Sequence, residues 1–302
     1  MFERAAIYFD EVARRGSVRK AAERLNIAPS AVDRQILQLE ARIGTPLFER
    51  LPQGLRMTAA GEMLVDAMRR WKRDFGRVQA QIKDLQGLYR GEVSLALVEG
   101  ATDFIADALS VFRVKYPGIQ YRMHIAGSQV VDDLVLSGEF DLGLTFNQPK
   151  AHTLRAERSL IYQIGAVVPA DHPLATREEV SFADCDPWGV IAPDDSISIR
   201  PILESAWQAA MGEPLRVNAT ANSITLIKAM VRSGVGIGIL TRLNILAELR
   251  AGEFVYIPLS HPKIPLSVLS LVVQSGRALS VAASAFLQEL DAAMQREHEP
   301  SV

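Results

Sequence analysis

The first 58 residues are broken three times at short intervals, and those breaks leave the chain little choice but a cluster of short helices. Ala5–Ala13 sets Ala6, Phe9, Val12 and Ala13 at helical spacing; Gly16-Ser17 ends it, and Ser17 can cap the following Val18–Leu25. Asn26-Ile27-Ala28 separates that segment from Pro29–Ile43, which Gly44 closes in the manner of a C′ glycine. Two short helices, a three-residue turn and a longer second helix make the outline of a helix-turn-helix. Ala21, Leu25, Ile27, Val32, Ile36 and Leu39 are expected to bury between the helices and against Phe9 and Val12. That turns Ser30, Asp33, Arg34 and Gln38 outward, and a helix offering short polar and basic groups on one face can lie in a major groove. Between Leu51 and Thr58, Gln53-Gly54 marks a turn before Leu55-Arg56-Met57, as in a small β-hairpin, or wing.

Thr58 stands as N-cap of a long helix expected to run to about Leu88 before Gly91 stops it. Within it Leu64, Met68, Trp71, Phe75, Val78, Ile82 and Leu85 follow at steps of 4, 3, 4, 3, 4 and 3. A helix lying on its own domain would drift toward a period of 3.6, whereas a strict 3.5 period is that of a coiled-coil seam. The spacing therefore predicts dimerisation through these seven residues, flanked by Arg69, Arg70, Lys72 and Arg73.

Charge is divided unevenly. Residues 1–90 hold 17 Lys/Arg against 11 Asp/Glu, while residues 91–302 hold 16 against 24. A basic N-terminal third on an acidic body suits a polyanionic partner at one end. The single Cys185 excludes an internal disulfide and a multi-cysteine zinc site, and His124, His152, His172, His261 and His298 form no pair at metal-ligand spacing. The chain shows no apolar run long enough to span a bilayer and no apolar core of a signal peptide, so a cytoplasmic location is expected, with no membrane partner.

From Gly91 short apolar strands alternate with amphipathic helices: Val93–Val98, Asp103–Lys115, Ile119–Ile125, Gln129–Leu136 and Phe140–Phe146. Such alternation implies an open α/β sheet. Ile161–Val168 is expected to cross into a second set, with a strand near Gly189–Ala192, helices over Ile199–Met211 and Ser223–Arg232, and a strand at Ile237–Leu240. Val268–Val273 is expected to return to the first set, and Ala278–Arg296 to close the chain as a helix. Two α/β lobes joined by two crossing strands enclose a cleft, a natural seat for a small molecule.

The stretch FDEVARRGSVRKAAERLNIAPSAVDRQILQLEARIGTPLFERLPQGLRMTAAG, from Phe9 to Gly61, resembles the LysR-type transcriptional regulators. Its landmarks are Gly16-Ser17, Ala21-Ala22, Leu25, Ser30-Ala31-Val32, Arg34-Gln35-Ile36, Leu39-Glu40, Gly44, Pro46-Leu47-Phe48 and Thr58-x-x-Gly61. A second set follows in order: Tyr116-Pro117, Gly138–Gly143, His172-Pro173-Leu174 and Gly234–Gly238. The resemblance covers nearly the whole chain. It implies a winged helix-turn-helix over residues 1–58, a coiled-coil linker helix over 59–90, and a two-lobe effector domain like a periplasmic binding protein over 91–302. Lobe I would comprise about 91–162 and 268–302, and lobe II about 163–267. It further implies a homotetramer built on a linker-helix homodimer, promoter DNA and an unidentified small-molecule effector as partners, RNA polymerase as a further partner at the promoter, and no cofactor.

The recognition helix departs from the family pattern. Ala28-Pro29-Ser30 stands where Ser-Gln-Pro is usual; Ala28 offers no capping oxygen, a loss of about 1 kcal/mol, and Pro29 partly offsets it by fixing φ. Asp33 stands where serine is common. Its carboxylate could accept from a cytosine amino group, or simply sit near the positive helix N-terminus. The candidate DNA contacts are Ser30 and Asp33 at base edges beside Pro29, Arg34 at a base or phosphate, Ser17 and Gln35 at the backbone, and Arg50, Gln53 and Arg56 from the wing. In the cleft, resemblance points to Glu99 and Thr102, Ser128, Phe146 and Asn147, Ser196 and Ser198, and Asn222 and Ser223. Hydroxyls and amides at helix N-termini suit anions, although Thr102, Ser128 and Ser198 could equally be plain N-caps. Glu99 could meet a cationic or hydroxylated ligand, or pair with Arg200.

An enzyme is not expected. Gly234-x-Gly236-x-Gly238 follows a helix and precedes a strand, the reverse of the dinucleotide motif, and no G-x-S-x-G, P-loop or H-E-x-x-H occurs. A solute carrier would explain the cleft but would leave the helix-turn-helix and the linker helix without a purpose.

Overall fold

The computed structural model describes residues 2–51, 54–84, 91–146, 153–260 and 264–298. The chain divides into two compact units, Met1–Gln79 and Ala80–Val302. Of the expected site residues, Gln53, Leu85 and Asn147 lie outside the described residues, as does the side chain of Ile82. Among the described residues no helix is long and apolar enough to cross a membrane.

The first unit contains α1 (Phe2–Arg15), α2 (Val18–Leu25), α3 (Pro29–Ile43), the hairpin strands β1 (Phe48–Leu51) and β2 (Gly54–Met57), and the start of α4 (Ala59–Asp84). Ser17 caps α2 by accepting from Lys20 N at 3.4 Å, and Asn26 ends it in the left-handed conformation, φ 54°. Ala28 makes no side-chain cap for α3, as its methyl group dictates. Phe9, Val12, Ala21, Val32, Ile36 and Leu39 meet in one core, where Phe9 lies 5.2 Å from the ring of Phe48, while Leu25 is only half-buried. Each large side chain fully buried there contributes about 1.5–3 kcal/mol. Glu40 of α3 ties the hairpin on: its Oε1 accepts from Leu47 N at 2.7 Å and Phe48 N at 3.2 Å.

The seam along α4 divides. Met68 is 5% exposed and packs into the core of its own domain with Val65 and the partly buried Leu64, whereas Trp71, Phe75 and Val78 are 48%, 47% and 48% exposed. Periodicity shows that a stripe is continuous. It cannot show which surface each member meets, and the first turns of α4 lie beside α1, where Arg69 reaches Asp10 at 2.7 Å. Trp71 and Phe75 stack at 5.6 Å beside a groove of about 230 Å³ between α1 and α4.

The second unit is two α/β lobes. Lobe I opens with β3 (Gly91–Leu97), α5 (Thr102–Lys115), β4 (Ile119–Ile125), α6 (Ser128–Leu136), β5 (Leu142–Phe146) and β6 (Leu154–Tyr162). Lobe II follows with β7 (Ile164–Pro169), α7 (Phe182–Cys185), β8 (Val190–Pro193), α8 (Ile199–Met211), β9 (Ala219–Ala221), α9 (Ile224–Arg232), β10 (Ile237–Thr241), α10 (Leu246–Arg250) and β11 (Phe254–Pro258). The chain then returns to lobe I as β12 (Ser267–Gln274) and α11 (Val281–His298). The sheets run β4-β3-β5-β12-β6 and β11-β7-β10-β8-β9, each mixed, and each lobe has its own apolar core. The strand expected at Ile161–Val168 is two strands divided at Gln163, whose carbonyl accepts from the Tyr256 hydroxyl at 2.9 Å. The earlier part of β6 was not expected: it is an edge strand carrying Arg155, Glu157 and Arg158, and charge on an edge hides the alternation. The strand expected from Phe140 begins at Leu142.

The start of α4 runs against the backbone of Leu47, and a Cβ added to Gly61 would overlap the Leu47 carbonyl oxygen, which accepts from Thr58 N at 3.0 Å. Gly61→Ala is therefore expected to destabilise the N-terminal unit by about 1–3 kcal/mol, read as a lower urea midpoint at unchanged m.

Candidate functional site

Two surfaces carry the expected site residues, one in each unit. On α3, Ser30 and Arg34 are exposed, and among the described residues no ion pair holds Arg34. Asp33 is engaged: its Oδ1 lies 2.8 Å from the Arg50 guanidinium of β1, so the carboxylate expected at a base edge is tied to the wing. Arg56 of β2 is likewise held by Glu49, its cross-strand partner, at 2.6 and 3.0 Å. Gln35 donates to Gln38 at 3.1 Å. Pairs this exposed are worth about 0–1 kcal/mol and exchange readily. Leu37, which the sequence reading passed over, is half-exposed on the same helix, one turn beyond Asp33 and Arg34. An apolar group there can meet a thymine methyl.

In the second unit the lobes enclose two adjoining cavities of about 90 and 170 Å³ that share Glu99, Gly100, Ile125, Ile224 and Asn244. Ser128, Phe146, Ser196 and Ser198 line the first, and Thr102 lines the second. Asn222 is exposed and lines neither. The hydroxyl of Ser128 donates to the Phe146 carbonyl at 3.0 Å, and that of Ser196 to Asp194 at 2.6 Å. Thr102 donates to the Glu99 carbonyl at 2.6 Å. Neither Ser128, Thr102 nor Ser198 supplies a side-chain cap, so the plain-cap alternative does not describe them.

Glu99 does not pair with Arg200, which binds Glu204 at 2.8 Å and the Pro193 carbonyl at 3.1 Å. Its carboxylate reaches across the cleft to the start of α9, where Ile224 N donates at 2.8 Å, Thr225 N at 3.0 Å and the Ser223 hydroxyl at 2.9 Å. Burial pushes the Glu99 pKa up, but the amides of Thr225 and Ile224 and the hydroxyls of Ser223 and Thr225 outweigh it, and the net shift is downward. Asn244 escaped the sequence reading. It is 3% exposed, its Oδ1 accepts from Thr241 N and Oγ1 at 2.9 Å each, and its Nδ2 donates to the Gly100 carbonyl at 3.5 Å. The spacing Thr241-x-x-Asn244 after an apolar strand was the available signal, since it is that of a capping box.

Behind the first cavity, α6 covers a polar row in the lobe I sheet: Thr145, Ser270 and Ser159 are register partners on β5, β12 and β6, and the two serine hydroxyls lie 3.0 Å apart. Asp132 of α6 bonds Thr145 and leaves Oδ1 buried without a partner among the described residues. Burial, with Asp133 adding repulsion, pushes its carboxyl up to about 6.

Residues 4–62 match the family described as bacterial regulatory helix-turn-helix protein, lysR family, and residues 86–295 match the LysR substrate binding domain. The HTH-type transcriptional regulator CbbR of Xanthobacter flavus is 31% identical over 241 residues, 79% of this chain and 72% of that one. The HTH-type transcriptional activator CmpR of Synechocystis sp. is 27% identical, covering 93% of this chain and 92% of that one. Among solved structures, CbnR, a LysR family transcriptional regulator, superposes with a TM-score of 0.68 at 18% identity, covering 96% of this chain and 98% of that one. CbnR complexed with its target DNA gives 0.69 at 18% identity, covering 96% and 99%.

A raised carboxyl pKa penalises the folded state once the group ionises: the penalty is absent below the unfolded value, grows between about 4 and 6, and is complete above that. Asp132→Asn is expected to melt above the wild type at pH 8, with the difference vanishing toward pH 4, in paired thermal scans.

Proposed function

This chain belongs to the LysR family of bacterial transcriptional regulators, and from that premise we propose how its residues divide the work. The N-terminal unit lays α3 in the major groove of promoter DNA, as the target-DNA complex of its structural neighbour CbnR invites. Ser30, Arg34 and Leu37 face the bases or the adjacent phosphates, and Ser17, Gln35, Arg50 and Arg56 position the backbone. The observation that carries this reading is the outer face of α3, where Arg34, in no ion pair among the described residues, stands beside a helix start that no side chain caps. Pro29 has no amide proton and the amides of Ala31 and Val32 donate to the Ala28 carbonyl, so Ser30 N is the amide left at this helix start, and with the adjacent guanidinium it suits phosphate. Asp33 acts through Arg50, whose guanidinium it holds in competition with the phosphates.

Two copies join through α4 at Phe75, Val78 and the Trp71 ring stacked on Phe75, which together leave apolar area exposed on one stripe. The cleft between lobes I and II takes a small effector against Ser128, Phe146, Ser196 and Ser198. Assembly to a homotetramer, a contact with RNA polymerase and action in the cytoplasm complete the proposal, on the strength of the family alone.

A mobility shift on the DNA upstream of the chain's own coding sequence, at stated salt, with and without candidate metabolites, tests the reading. A shift that metabolites alter is expected; no shift on any genomic fragment under either condition would sink it. Releasing Arg50 by Asp33→Asn is expected to tighten binding to promoter and scrambled DNA alike and to steepen the slope of log affinity against log salt by about 0.9. A change confined to one base position would instead return Asp33 to the base edge.

A further inference from the structure

The first four amides of α9 all have partners. Ile224 N and Thr225 N donate to Glu99, Leu226 N donates to the Ser223 hydroxyl at 3.3 Å, and Ile227 N donates to the Ser223 carbonyl at 3.0 Å. A helix start of this kind ordinarily offers its open amides to a carboxylate or a phosphate. Here a carboxylate from the opposite lobe, 124 residues earlier in sequence than Ser223, already sits on it. The loop that delivers it is seated closely: Asn244 fills the space where a side chain at Gly100 would stand. The neighbouring cation on α9 is satisfied too, since Lys228 lies 2.8 Å from Glu248 and 3.9 Å from Asp103. The open amides and the cation at the α9 end of the cleft therefore already have acidic partners within the protein.

We propose that Glu99 is a built-in ligand of the effector cleft: it binds the N-terminus of α9, ties lobe I to lobe II, and reserves that end of the cleft for a molecule presenting a hydrogen-bond donor, a hydroxyl or an ammonium group. This rests on the cleft being the effector site. An acid arriving at α9 finds no open amide and meets a like charge at contact distance. A donor finds the Glu99 carboxylate, which lines both cavities and is held by the amides of Ile224 and Thr225 and by the hydroxyls of Ser223 and Thr225, and it can bond there in exchange for a hydroxyl. One other acid, Asp103, lines the second cavity and faces Lys228 of the same lining at 3.9 Å, so the Glu99 carboxylate sets the preference there.

The test uses full-length protein and thermal scans in sodium acetate against sodium chloride at matched ionic strength. Wild-type protein is expected to melt alike in both. Glu99→Ala is expected to melt about 2–4 °C lower in chloride and to recover in acetate, which refills the vacated amides. Ethanolamine hydrochloride, which carries both kinds of donor, is expected to raise the melting point of the wild type and not of Glu99→Ala. Acetate stabilising the wild type as much as the variant, Glu99→Ala melting like the wild type, or ethanolamine leaving the wild type unmoved would each overturn the proposal. Should Glu99→Ala fail to fold, Glu99→Gln keeps the volume and one acceptor oxygen. Hydrogen exchange over residues 223–226 is then expected to quicken by about tenfold, and unchanged protection there overturns the proposal. None of these readouts involves DNA. Metabolite-sensitive DNA binding without acetate rescue would spare the cleft reading and remove the Glu99 proposal, and acetate rescue without metabolite-sensitive DNA binding would do the reverse.

Discussion

Every α-helix leaves four amide groups at its start without partners inside the helix, and much of what this chain can do follows from where it satisfies them and where it does not. Ser17, Thr58 and Ser181 close the starts of α2, α4 and α7 with their own hydroxyls. The starts of α3, α5, α6 and α8 have no side-chain cap. The first of these opens beside the proposed DNA face, and residues at the starts of the other three line the interlobe cavities. Leaving a helix start without a side-chain cap costs about 1 kcal/mol, and the chain bears that cost at these surfaces and also at α10, whose residues line neither cavity. α9 is the exception within the cleft, closed by Ser223 and by a carboxylate borrowed from the other lobe.

Local features were legible in sequence where a few adjacent residues decide the outcome. Ser17, Asn26, Pro29 and Gly44 bound two helices at the positions their chemistry dictates, Val18–Leu25 and Pro29–Ile43. Long-range features were not. No spacing rule joins Glu99 to Ile224, because the two meet only once both lobes have folded. The heptad stripe showed an apolar face on α4 but could not reveal that Met68 turns into its own domain. The charged edge strand β6 was hidden for a related reason, since Arg158 answers to Asp291 on α11 and not to its neighbours in sequence.

The same limit applies to charge. The excess of lysine and arginine in the N-terminal third is partly spoken for: Arg14 by Asp10, Arg15 by Glu11, Arg19 by Glu23, Arg50 by Asp33 and Arg56 by Glu49. Exposed pairs of this kind hold their partners weakly. They keep the free protein from presenting a bare basic surface, yet each guanidinium can be given up to a phosphate.

The two passages between the lobes are unequal. Gln163 alone separates β6 from β7, and the Tyr256 hydroxyl grips its carbonyl, whereas eight residues, 259–266, separate β11 from β12. A linkage with one short bar and one long bar has its axis at the short one. Any rotation of lobe II against lobe I would act on the torsions around Gln163. Because α9 belongs to lobe II, such a rotation would be registered at its start, where the Glu99 carboxylate of lobe I is held.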